Sequence, residues 1–114
     1  LLAVNRQRVE VHGGAVRLRA LEVNALPDHD GACARLGGQV VAAIPGLAGY
    51  VGVDLLATPA GPVVVEVNPR LTTSACALRA AVGINLAALV LGLAAHRRAA
   101  DRAVTLDLEA AHVS

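Results

Sequence analysis

Residues 52–74 read GVDLLATPAGPVVVEVNPRLTTS, two apolar runs separated by turn residues and closed by a proline. This stretch predicts a β-hairpin. Residues 50–57 form its first strand, Thr58-Pro59-Ala60-Gly61 the turn and residues 62–68 its second strand. The unbroken run Val63-Val64-Val65 is expected of a strand covered on both faces. Pro69 has no N–H for a ladder, so the strand stops there. Alternate strand residues face one side. Glu66, Asn68 and Arg70 are therefore expected to share a face if extended backbone persists through Pro69, with Asp54 brought opposite by the turn.

Two carboxylates and an amide oxygen make a hard, oxygen-rich set of the kind Mg²⁺ takes, with phosphate oxygens and waters completing its octahedron. An arginine beside such a metal can stabilise the charge that develops on a transferred phosphoryl group. Carboxylates flanked by apolar residues on a central strand also need a reason, because burying them unpaired is costly. A plainer reading stays open at this point. Asp54, Glu66 and Arg70 can form a structural ion-pair network, and Asn68-Pro69 can be only a strand-ending turn.

Upstream, Val9 and Val11 flank Glu10, and Val16, Leu18 and Ala20 alternate with Arg17 and Arg19 across the His12-Gly13-Gly14-Ala15 turn, which predicts two strands within residues 1–24. Residues 1–4 read as if the chain opens inside a strand. Asp28 or Asp30 can cap a helix running to about Ile44, with Leu36, Val40, Val41 and Ile44 on its apolar side, and Pro45-Gly46 ends it. Downstream, Thr72, Thr73 or Ser74 can cap a short helix ending at Gly83. Asn85 can cap another carrying Leu86, Leu89, Val90 and Leu93, with Arg97 and Arg98 at its C-terminal end, and Val104, Leu106 and Leu108 suggest a last strand.

Composition narrows the classes. A 114-residue chain of net charge +1, with scattered arginines and no lysine, lacks a nucleic-acid footprint. Tyr50 is the single aromatic residue, so Leu, Val, Ile and Ala must build the core. Cys33 and Cys76 are expected as buried free thiols, which fits a reducing cytoplasm. The apolar run 80–95 is short of a bilayer span, so no membrane partner is expected. Gly13-Gly14 lacks P-loop spacing, and His12, His96 and His112 lack partners at metal-ligand spacing. His29, between Asp28 and Asp30, is read as a solvated loop, and Asn5-Arg6-Gln7-Arg8 as a solvated strand end with nucleotide contact as the alternative.

Glu66-Val67-Asn68-Pro69-Arg70, preceded by Gly52-Val53-Asp54 and a hydrophobic strand, resembles the C-terminal signature of the ATP-grasp superfamily. The continuation Leu71-Thr72-Thr73-Ser74 resembles, more narrowly, the tyramine–glutamate ligase group and related proteins linked to methanofuran-type and other C1-carrier cofactors. The resemblance implies an α+β fold, an antiparallel sheet with packed helices. Residues 1–114 would be the C-terminal part of an ATP-grasp domain, with the N-terminal domain and the lysine-bearing lid elsewhere in a longer protein.

By the same resemblance, Asp54 is the first magnesium carboxylate, Glu66 the bridging carboxylate and Asn68 the amide ligand of the second ion. Arg70 is the catalytic residue on the terminal phosphate or acyl-phosphate, and Thr72, Thr73 and Ser74 lie where the family's loop approaches nucleotide or substrate. The implied cofactors are ATP and Mg²⁺, or Mn²⁺ in its place. The implied activity is ATP-dependent joining of a small-molecule carboxylate to an amine, carried by the full-length protein and not by this piece alone. A degenerate ATP-grasp domain that binds nucleotide or a partner, and a small interaction module, are the alternatives.

Overall fold

The computed structural model describes residues 1–47 and 49–90 and, of the segment Val104–Asp107, the backbone. The elements run β1 (Arg6–His12), β2 (Ala15–Val23), α1 (Ala32–Ala43), β3 (Gly52–Thr58), β4 (Gly61–Asn68), α2 (Ala75–Val82), α3 (Leu86–Val90) and β5 (Val104–Asp107). This is the expected α+β chain of antiparallel strands and short helices. It divides into two compact units, Asp28–Thr73 with Leu1, and Leu2–Pro27 with the described residues from Ser74 on.

The second unit is built on a sheet of order β1-β2-β5, antiparallel throughout. Gly13 and Gly14 both take positive φ (57° and 78°), as a two-residue hairpin turn demands, and so close β1 onto β2 tightly. Only the last four residues of β2 pair with β5, Ala20 to Val23 against Asp107 to Val104, and burial follows that pairing. Leu21 and Val23 are buried there, while Val9, Val11, Val16 and Leu18 near the turn are exposed. Helix α2 contacts both β2 and β5 and buries Ala77, Leu78, Ala81 and Val82, which recur at helical spacing. Gly83 (φ 72°) ends α2, its N–H donating to the Arg79 carbonyl at 3.0 Å. Asn85 caps α3 as expected, accepting from the Ala88 N–H at 3.1 Å.

Among the described residues Glu22 is the buried charge of this sheet. It stands directly opposite Arg6 and pairs with both Arg6 (3.3 Å) and Arg8. Asn5 Oδ1 accepts from the backbone N–H of Asn24 at 2.9 Å. The segment 5–8 is therefore engaged in holding its own sheet. A shallow groove of about 460 Å³ runs along Gln7, Arg8, Val9, Glu10 and Arg19, and Arg19 is itself bonded to Glu10 at 2.7 Å.

The first unit holds α1 and the β3–β4 hairpin, with α1 contacting β4. The N-cap position of α1 is Gly31, and the two expected aspartates bond the first-turn N–H groups from just before it. Asp28 accepts from the N–H groups of Cys33 (3.0 Å) and Ala34 (2.9 Å), and Asp30 from that of Ala32 (3.1 Å). These backbone bonds, helped by nearby Arg35, hold the Asp28 carboxyl below its ordinary range.

Several expectations are corrected. Residues 1–4 are not strand, although the Val4 carbonyl accepts from the Leu26 N–H at 3.2 Å. On α1 Val40 is buried and Leu36 half-buried, whereas Val41, about 100° round the helix from Val40, and Ile44, past the helix end in extended backbone, are exposed. Val63 and Val65 are 51% and 68% exposed, so β4 is not covered on both faces. Cys33 is half-buried and Cys76 exposed, both as free thiols; Cys76 lies on the face of α2 turned from its buried stripe. Leu93, Arg97, Arg98 and Leu108 lie outside the described residues. No helix among the described residues is long and apolar enough to cross a membrane.

Two outcomes follow from α1. An added Cβ at Gly38, mid-helix and exposed, meets nothing within 4 Å, so Gly38→Ala should raise unfolding free energy by up to about 1 kcal/mol in urea denaturation. Because the folded-state pKa of Asp28 is lowered, its contribution is complete above the unfolded value near 3.8 and is lost as pH falls through the folded value. Melting temperature followed from about pH 5 down to pH 2 should therefore fall less steeply in Asp28→Asn than in the native chain.

Candidate functional site

The β3–β4 hairpin positions the residues that the sequence singled out. Its turn is fixed by Thr58, whose hydroxyl donates to the Gly61 carbonyl (2.7 Å) and accepts from the Ala60 N–H (3.2 Å), with Pro59 holding φ near −65°. From the turn the ladder runs regularly through Leu55 opposite Val64. There it shifts, and Asp54 stands opposite Glu66, Val53 opposite Val67 and Gly52 opposite Asn68. Val65 is the residue left without a partner, a β-bulge. A ladder continued without it would set Asp54 against Val65 and send Glu66 to the other face. The bulge thus makes Asp54 and Glu66 a direct cross-strand pair, with Asn68 two residues further on the same side.

Beyond β4 the extended backbone does not persist. The Arg70 N–H donates to the Asn68 carbonyl at 2.8 Å, a γ-turn centred on Pro69, whose locked φ suits it. Arg70 reaches the group all the same, because the turn folds it back and its Nη2 donates to Asn68 Oδ1 at 2.9 Å. Its Nη1 donates to the Leu71 carbonyl at 3.3 Å. The expected alignment of Arg70 by strand alternation is therefore replaced by alignment through a turn. Asn68 is buried, Asp54 half-buried, and Glu66 and Arg70 exposed.

The chain then returns over β3. A Cβ placed on Gly52 would lie 2.5 Å from Thr72 Cγ2, and Thr72 Oγ1 is 3.1 Å from the Tyr50 hydroxyl. Thr72 therefore lies on the side of β3 from which Asp54, two residues on, also projects. Thr73 is exposed, while Ser74 is buried at the start of α2, in the other unit, its carbonyl accepting from the Ala77 N–H at 3.1 Å. The sequence does not single out Tyr50 or Gly52 as neighbours of this group. An isolated glycine inside a strand marks close backbone approach, and that signal was there at Gly52.

A family model described as an ATP-grasp domain matches residues 1–74, a span that takes in the hairpin and the Pro69 turn. The chain belongs to the ATP-grasp family. Its structure is similar to the crystal structure of a protein of Archaeoglobus fulgidus assigned to the ATP-grasp superfamily, with a TM-score of 0.65 and 27% sequence identity. That likeness covers 94% of this chain and 40% of the other, so the ATP-grasp chain here spans well under half of the length it matches. No curated protein matches it.

Asp54 and Glu66 are like charges placed directly across a strand pair, an arrangement that weakens a sheet by a few tenths of a kcal/mol up to about 1. Glu66→Gln keeps shape and removes one charge. Without nucleotide or divalent metal it should raise the melting temperature slightly, and the gain should shrink as salt is added from about 0.01 to 1 M.

Proposed function

We propose that this ATP-grasp domain is the magnesium–nucleotide site of an ATP-dependent ligase that activates a carboxylate as an acyl-phosphate and joins it to an amine. The observation that carries the proposal is the bulge-set pairing of Asp54 with Glu66, with Asn68 on the same face and Arg70 folded onto it. The donor set suits Mg²⁺, or Mn²⁺ in its place, being two carboxylates and an amide oxygen. Among the described residues no three acidic, histidine or cysteine side chains gather to hold a metal by themselves. Mg²⁺ habitually keeps waters and takes phosphate oxygens from its nucleotide, so a protein share of one or two carboxylates is usual for it.

In this reading Asp54 and Glu66 bind the metal ions, which when bound neutralise the phosphate charge. Asn68 offers its amide oxygen, which has a second lone pair beside the one directed at Arg70. Arg70 is the catalytic residue, placing a permanent charge where the terminal phosphate of ATP, or the acyl-phosphate, develops negative charge. Thr72, Thr73 and Ser74 belong to the segment that approaches the nucleotide or substrate. The remaining part of the same protein supplies the lid, the lysines that this chain lacks and the pocket for the carboxylate and the amine. A tyramine–glutamate-ligase-like specificity is the narrower form of this proposal, carried by the Leu71-Thr72-Thr73-Ser74 run.

Glu66→Gln in the full-length protein should abolish carboxylate-dependent release of inorganic phosphate from ATP while the protein stays folded. Unchanged phosphate release would reject the ligase reading, and nucleotide binding without any phosphate release in the native protein would favour a non-catalytic domain.

A further inference from the structure

The strand face that carries Asp54 and Glu66 is held against the 69–73 segment by a contact that the metal and phosphate roles do not require. Gly52 pairs with Asn68, one strand repeat, about 7 Å, from the Asp54–Glu66 pair. The space in which any other residue would place a Cβ is filled by the methyl group of Thr72, at 2.5 Å from that Cβ position. The same threonine shares a 3.1 Å hydrogen bond with Tyr50. Tyr50 is the only aromatic residue of the chain, and its hydroxyl reaches across to the returning segment, so methyl and hydroxyl of Thr72 are each fixed by a different residue of the β3 side. Between Asn68 and Thr72 the chain is already reversed by the Pro69 γ-turn. Two anchors and a turn leave that short segment little freedom.

We propose that Tyr50 and Gly52 are positioning residues that latch Thr72, and that the latch sets nucleotide affinity by fixing where Arg70 and the exposed Thr73 stand relative to the carboxylate pair. The proposal rests on the magnesium–nucleotide reading above and assigns Thr72 a different part in it. Its side chain serves the latch, and the ligand is left to its neighbours.

The test is calorimetric titration of Mg²⁺–ADP into the full-length protein, with melting temperatures measured in parallel. Gly52→Ala should weaken binding about tenfold or more. Adding Thr72→Ser removes the methyl that clashes and keeps the hydroxyl, leaving Oγ1 and Cβ at 3.4 and 3.6 Å from the new Cβ, so Gly52→Ala/Thr72→Ser should recover most of the native affinity. Tyr50→Phe, which keeps the ring, should weaken binding by less than Gly52→Ala. If Gly52→Ala binds as the native protein does and only its melting temperature falls, the contact is structural and the proposal fails. A double variant as weak as the single one also overturns it. A native protein that does not bind Mg²⁺–ADP rejects the nucleotide reading, and the latch's role with it, an outcome distinct from native binding that survives Gly52→Ala.

Discussion

One irregular residue governs the arrangement of the candidate site. Strand side chains alternate, so a shift of one residue between paired strands carries a whole row of side chains to the opposite face. Val65 provides that shift, placed between the turn-proximal part of the β3–β4 hairpin and the part bearing the polar residues. On the turn side, Leu55 pairs with Val64 and Leu56 with Val63. Past the bulge, Asp54 and Glu66 meet across the ladder, and Gly52 meets Asn68. The β1–β2 hairpin uses the same device. Its ladder shifts between Arg8 and Val9, which places Arg6 opposite the buried Glu22. In each hairpin a bulge decides which charged groups meet, and the outcome differs with charge sign. Arg6 and Glu22 are opposite charges that close a structural pair, whereas Asp54 and Glu66 are like charges set across the ladder.

The rest of the proposed site follows from how the chain leaves β4. Pro69 ends the ladder and turns the backbone so that Arg70 bonds back to Asn68 at both main chain and side chain. The returning segment then needs a strand position without a side chain, and Gly52 supplies it. A bulge, a proline and a glycine thus convert a linear strand end into a compact group of acidic, amide and guanidinium functions. That group lies within residues 1–74, the span that carries the ATP-grasp family membership.

Much of this was legible in the sequence where side-chain chemistry dictates the backbone. Thr58-Pro59-Ala60-Gly61 announced the hairpin, Asp28 and Asp30 the start of α1, Asn85 the start of α3 and Gly83 the end of α2. The bulge was not legible. A run of three valines has no polar member to mark which face is which, so either register suits it equally well. Its uniformity suggests burial on both sides, yet Val63 and Val65 are exposed. The direction of Arg70 was illegible for a related reason. Alternation holds only while the backbone stays extended, and the γ-turn at Pro69 is a matter of ψ, which proline does not fix. The exposure of Cys76 is hidden in the sequence because an alanine-rich helix has weak patterning, and Ala77 and Leu78 beside it face the buried side while it does not.

In the function proposed above, Asp54 and Glu66 act as one unit on one cation-bound nucleotide. A double-mutant cycle on the full-length protein tests it most directly, using Asp54→Asn, Glu66→Gln and the pair of them, with Mg²⁺–ADP affinity as the quantity measured. Strong non-additivity is expected, either single change costing nearly as much affinity as both together. Independent, additive losses, or a single variant that binds Mg²⁺–ADP as tightly as the native protein, would contradict it.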